Sequence, residues 1–369
     1  SSEPLALLAD ERNWIFQLGF AADGRTLVST TEDGSALLWG LQPGLPTVAL
    51  GSHEVQTAAF SGDGRRLVAG ERRVIRIWDL SEGQALTVLE HSAEVINDAL
   101  AWSADGSRVA AAEGRSIGLW DAESGKQIAM LLGHREHVRD LAFSRDGKTL
   151  ASVGDDGTLR LWAAEGGEAL ASKAVAESPV TTLMFLPLGY LRAGEFDAQR
   201  TPVLASGGDD GRVRLWSAQA ELLATLDGHQ DAVVALASSN DGRLLASGGA
   251  DTRALLWSLV DELPGKPRVL DGHSEAVFSL CFTVDDRLVT ASAYDVLLWP
   301  AEGGDTPATP VPISEHRSTI TALACAPRGD LVASAGRDGS IELWTIGDEP
   351  ERYVDFTEAA TVHQLYFGP

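Results

Sequence analysis

Apolar residues in this chain fall into short runs separated by Asp-Gly, Gly-Gly and Ser-x-Asp-Gly turns, and the runs recur in a fixed order. One full unit, HVRDLAFSRDGKTLASVGDDGTLRLW over residues 137–162, reads as strand, tight turn, strand, tight turn, strand. Short, partly alternating apolar runs bounded by Gly and Asp predict strands joined by hairpin turns. The third strand of each unit closes on a tryptophan, at Trp39, Trp78, Trp120, Trp162, Trp216, Trp257, Trp299 and Trp344. The intervals are 39, 42, 42, 54, 41, 42 and 45 residues. After each tryptophan comes a further apolar run, such as IAMLLGH, LLATLDGH or PRVLDGH, which supplies a fourth strand.

A lone four-stranded sheet cannot bury both of its faces, so such units must stack around an axis and share them. A period of about 42 residues is that of one propeller blade. The pattern predicts an all-β propeller of eight four-stranded blades, with a seven-bladed ring carrying one aberrant repeat as the alternative. The order His, then Val-x-x-Leu-x-Phe-Ser-x-Asp-Gly, then Leu-Ala-Ser-Gly, then Asp-Gly-x-x-x-Leu-Trp resembles the WD40 repeat family over residues 11–358.

That resemblance implies a buried hydrogen-bonded set in each blade: His before the first strand, Ser or Thr in the second, Asp in the next turn and Trp in the third. The matching residues are His134, Ser152, Asp156 and Trp162 in repeat four, His229, Ser247, Asp251 and Trp257 in repeat six, and His316, Ser334, Asp338 and Trp344 in repeat eight. All three sets share one spacing, 18 residues from His to Ser, four to Asp and six to Trp. A catalytic triad has no reason to recur at a structural period, so these residues are read as scaffold and no catalytic residue is assigned. Repeats one and five keep Ser29, Asp33, Trp39 and Ser206, Asp210, Trp216 but lack the histidine. Repeats two, three and seven shorten the second turn and lose its Asp, and Ala69 and Ala111 replace the serine in two and three. Those two blades are expected to be softer and carried by apolar packing.

Ring closure in this family uses an N-terminal strand to complete the last sheet, a part that Leu5–Ala9 would play. Arg352–Phe356 also reads as the outer strand of repeat eight, and residues 357–369, with TVHQLYF at 361–367, read as an extra strand or the start of a further repeat. Together with a start at Ser1, this surplus suggests a piece of a longer protein; residues 1–369 are otherwise read as a single propeller domain.

Composition narrows the partners. A formal net charge of -24 repels phosphate and anionic lipid, so nucleic acid and membrane are disfavoured and a basic protein or peptide is favoured. The two cysteines, Cys281 and Cys325, lie in apolar runs of neighbouring repeats and read as reduced core thiols of a cytoplasmic protein. The opening SSEPLALLADERNW does not read as a secretion signal, and no apolar run of membrane-spanning length occurs in residues 1–369.

Two regions could recognise a partner. The insert in repeat five, LPLGYLRAGEFDAQRTP over 186–202, brings Tyr190, Arg192, Phe196 and Arg200 to the face opposite the His-bearing turns. On the His-bearing face, Trp14, His137, Arg139 and Phe278 stand at strand-start positions near the channel mouth, although core packing is the weightier reading of Trp14 and Phe278. The spacing His134-x-x-His137-x-x-Asp140 superficially suits a metal, but His134 is already committed to the network, and no metal or cofactor is assigned. The expected function is a non-catalytic protein-interaction module, the scaffold or sensor part of a larger protein or complex with other domains or subunits. It resembles the WD40 arrays of bacterial multidomain signalling and defence proteins. The alternatives are a structural subunit held permanently in a complex and, less favoured, a propeller enzyme with a site at the channel mouth.

Overall fold

The computed structural model describes residues 6–9, 14–41, 48–50, 55, 57–70, 74–80, 84–90, 99–187, 203–260, 265–299, 310–313, 316, 318–327 and 331–346. Within them every regular element is a strand, and the strands form eight four-stranded antiparallel sheets. In seven blades the order in the sheet follows the chain. The inner strands are Ile15–Phe20, Thr57–Phe60, Leu100–Trp102, Val138–Phe143, Val180–Phe185, Val233–Ser238, Ser279–Phe282 and Ile320–Cys325. Each packs on the next, and the last returns to the first, closing an eight-bladed ring and excluding the seven-bladed alternative.

Closure joins the two ends of the described chain. Ala6–Ala9 pairs antiparallel with the third strand of blade eight, Ala6 opposite Leu343 and Ala9 opposite Ser340. The strand expected at Leu5–Ala9 therefore serves blade eight over its described part. Residues 352–369, where the surplus strands were expected, lie outside the described residues, as does the insert from 188 to 202 with Tyr190, Arg192, Phe196 and Arg200.

The core lies between blades. Leu27, Leu37 and Trp39 of blade one pack with Ala333, Ile341 and Leu343 of blade eight, while Ile75, Ile77 and Leu89 of blade two pack with Val109 and Trp120 of blade three. Each sheet thus buries both faces against its neighbours, at roughly 25 cal/mol per Å2 of apolar surface removed from water. On the face away from the histidines, the Ser-x-Asp-Gly turns hold the first hairpin of the blade. Ser144 donates to Asp146 at 2.6 Å, Asp146 accepts from the Lys148 N–H at 3.1 Å, and Gly147 takes a φ of 69° that a glycine adopts without strain. In blade three the equivalent bonds from Ser103 and Ser107 bring the Asp105 carboxyl down to about 2.

The cysteines require a correction. Cys281 and Cys325 are joined in a disulfide, their Cα atoms 5.9 Å apart, linking the inner strands of blades seven and eight. Equivalent strands of neighbouring blades are adjacent in a closed ring, so two cysteines that look remote in sequence come into bonding range.

Candidate partner-binding site

Blade four shows how the polar scaffold works. Trp162 Nε1 donates to Ser152 Oγ at 2.9 Å, Ser152 lies 2.8 Å from His134 Nε2, and His134 Nδ1 lies 3.0 Å from Asp156. With a neutral ring all three bonds run one way: indole N–H to hydroxyl, hydroxyl to Nε2, and Nδ1–H to carboxylate. Burial pushes His134 below its ordinary value and so keeps it in the form this chain of bonds needs. Blade six repeats the set, with 3.0 Å from Trp257 to Ser247, 2.8 Å from Ser247 to His229 and 2.9 Å from His229 to Asp251.

The third expected copy is altered. In blade eight His316 Nε2 bonds Ser334 at 2.9 Å, but Nδ1 turns to Ser340 at 3.1 Å, and Asp338 is 3.8 Å away. The Trp344 indole N–H has no hydrogen-bond partner. Glu342, two residues before that tryptophan, is buried with its carboxylate 3.7 Å from His316 Nε2, a negative charge where blade four has Arg160 and blade six Leu255.

Sequence reasoning missed two substitutes. Blade seven keeps part of the set, with Thr290 in place of serine, 2.7 Å from His273 Nε2 and accepting from Trp299 Nε1 at 2.8 Å, while His273 Nδ1 has no partner. Its shortened spacing hides it from the strict pattern. In blade five Arg214 takes the place of the histidine and holds Asp210 through two bonds of 3.2 and 2.5 Å, while Trp216 still donates to Ser206 at 2.9 Å. A cation two residues before the tryptophan was no signal by itself, since blade four carries Arg160 there beside its histidine. Blade three has neither device. Ala111 offers no acceptor, the Trp120 indole N–H is unpartnered, and the ring lies over Gly118, where a Cβ would meet it at 2.0 Å.

The channel mouth is shaped by bulges. In five inner strands the pairing skips the second residue, leaving Phe16, Arg139, Thr181, Val234 and Thr321 out of the ladder. Bulges of this kind re-aim side chains, here at the end of the strand nearest the His-bearing turns. Thr181 and Thr321 use the freedom to bond the next blade, at the carbonyls of Val233 and Ile15. Phe16 and Val234 are left exposed.

The expected partner residues divide accordingly. Trp14 is 40% exposed, not core, and the Arg337 guanidinium of blade eight stacks over its ring at 4.6 Å from the centroid. The other nine tryptophans are buried or half-buried. Arg139 is exposed and pairs with Asp155 at 2.7 Å, and His137 is exposed beside it. Phe278 is half-buried against the blade seven and eight core, as the packing reading expected. The residues of the apparent metal spacing diverge: His134 turns into its network, His137 faces solvent, and Asp140 accepts the Leu183 N–H of blade five at 2.8 Å. Among the described residues no group of three His, Cys, Asp or Glu side chains stands where it could hold a metal ion. No helix among them is long and apolar enough to cross a membrane.

A ring of four-stranded sheets fastened by Trp, Ser or Thr, His and Asp defines a WD-repeat propeller. The family model for the WD domain, G-beta repeat, matches residues 2–40, 44–79, 125–163, 174–217, 220–258, 265–299 and 309–345, and the chain belongs to the WD40 family. Propellers of this family are in general protein-interaction scaffolds. Most of blade three, where Ala111 stands for the serine and the turn aspartate is lost, falls between the matched segments. A crystal structure of the computationally designed Ika8 protein is similar to the chain, with a TM-score of 0.77 and 25% identity over 94% of this chain and 100% of that one. No curated protein matches the chain.

Proposed function

We propose that this propeller is a non-catalytic docking module, the scaffold or sensor part of a larger protein or complex, and that it receives a protein or peptide at the channel mouth where blades eight and one meet. The observation that carries this reading is the exposed pair Trp14 and Phe16 beside the stacked Arg337. Aromatic and arginine side chains held in place on a rigid frame are what dominate interface energies. Arg139 and His137 extend the same face towards blade four. The His, Ser and Asp side chains that resemble a catalytic set are taken up by the scaffold bonds, which supports a binding role over an enzymatic one. The net charge of -24 favours a basic partner. The cytoplasmic address inferred from two thiols loses its support with their pairing.

The test compares capture of a specific partner from native lysate by the intact chain, by a Trp14→Ala/Phe16→Ser variant, and by a chain with residues 188–200 replaced by a short Gly-Ser linker. Loss with the first variant and retention with the second is expected. Retention with the first and loss with the second would move the site to the repeat-five insert.

A further inference from the structure

Away from the blade eight and one seam, the His-bearing face carries a cavity of about 500 Å3 between blades three and four. Its walls are Glu113, Arg115 and Ser116 from the second turn of blade three, and Arg135, Glu136 and His137 from the loop leading into blade four. Arg115, Arg135, Glu136 and His137 are exposed, whereas Glu113 is 7% exposed. One carboxylate oxygen of Glu113, Oε1, is buried with no hydrogen-bond donor, and neither rim arginine bonds it.

The shortened turn explains how a glutamate comes to be there. By strand register Glu113 occupies the place that Gly154 holds in blade four, where a Cβ would meet the His137 carbonyl at 2.3 Å. Blade three lacks the usual turn aspartate, its turn is one residue shorter, and the position accepts a side chain. Burial pushes the Glu113 carboxyl above the usual carboxylate range, the expected response of an acid short of donors. A buried carboxylate short of donors, on a residue that lines a cavity, lacks the charge-assisted hydrogen bond that a cation could supply.

We propose that this cavity binds a lysine or arginine side chain of a partner protein, with the Glu113 carboxylate accepting from the cation and the rim donors Arg115 and Arg135 meeting backbone carbonyls of the same peptide. The strongly acidic chain steers cationic segments towards itself. The site shares His137 with the docking face but neither Trp14 nor Phe16, so a Trp14→Ala variant tells the two readings apart.

The probes are the blocked pentapeptides acetyl-Gly-Gly-Arg-Gly-Gly-amide and its Lys, Gln and Glu counterparts, titrated at low salt against the whole chain by ligand-observed NMR. Expected are millimolar binding of the Arg or Lys peptide, at least tenfold weaker binding of Gln and Glu, and loss of that preference in a Glu113→Gln variant. The variant is nearly isosteric and removes a buried charge, so it is expected to stay folded; Trp14→Ala should leave the preference unchanged. Equal binding of the four peptides, no binding of any, or a preference that survives Glu113→Gln would overturn the assignment.

Discussion

Ser152→Ala tests whether the repeated polar set stabilises the ring or merely decorates it. Ser152 is fully buried and serves two neighbours at once, accepting from Trp162 at 2.9 Å and lying 2.8 Å from His134 Nε2. Removing its oxygen strands an indole N–H and an imidazole nitrogen in side chains that are almost wholly buried. Each stranded group costs about 1–3 kcal/mol, so the expected loss is about 2–6 kcal/mol. Blade three shows what relaxation would need: Trp120 lies over Gly118, a place that Arg160 fills in blade four, so Trp162 has no such escape. Urea unfolding followed by tryptophan fluorescence gives the loss, and amide exchange across Thr149–Gly154 localises it to blade four. Trp162→Phe should cost less in the Ser152→Ala background than in the parent, because its N–H is already orphaned there. A loss below about 1 kcal/mol, or strictly additive double variants, would refute the argument.

Acidification should weaken the fold through the histidines. Burial holds His273 near 4 against an unfolded value of about 6.5, so its contribution is complete above pH 6.5 and declines by about 3 kcal/mol as pH falls towards 4. His134 and His316 are shifted in the same direction, while Asp140, which burial pushes up to about 6, works in the opposite sense between pH 4 and 6. Melts from pH 7.5 to 4.5 should therefore show a shallower pH slope in His273→Gln than in the parent, and equal slopes would contradict it. The Cys281–Cys325 bond closes a loop across 44 residues, worth about 4 kcal/mol by loop entropy. Reductant or a double Cys→Ser change should then lower the melting temperature by about 5 °C for a chain of this length, and melts that ignore reductant would show the sulfurs unpaired.

The ring and its blade count were legible because tight turns force glycine and aspartate to fixed offsets and the shared faces demand a tryptophan per blade. His134 and His229 were legible for the same reason, since a strict spacing links four side chains into one hydrogen-bonded chain. What escaped was chemistry that conserves geometry while changing residue type or spacing. Thr290 does the work of a serine after a shortened turn, and Arg214 reaches Asp210 from the third strand instead of from the loop where the histidine would stand. Glu342 was unreadable as a disturbance because a charged residue before the tryptophan is harmless when it faces water, and only the ring buries it. The disulfide needed the distance between neighbouring inner strands, which periodicity does not supply. Trp14 was misjudged because a strand start looks apolar whether its side chain turns inward or lies on the rim.

The pairing of Ala6–Ala9 with Ser340–Leu343 sets an order of events during synthesis. The strand Ala6–Ala9 has no sheet to join until blade eight exists, so it stays unpaired while blades one to seven are made. Blade eight, until that strand arrives, has only three strands and an open edge. Premature release or a stalled ribosome would leave both edges bare, each a template for the corresponding strand of another copy, so the latch that finishes one ring is also the element by which two unfinished chains could exchange ends.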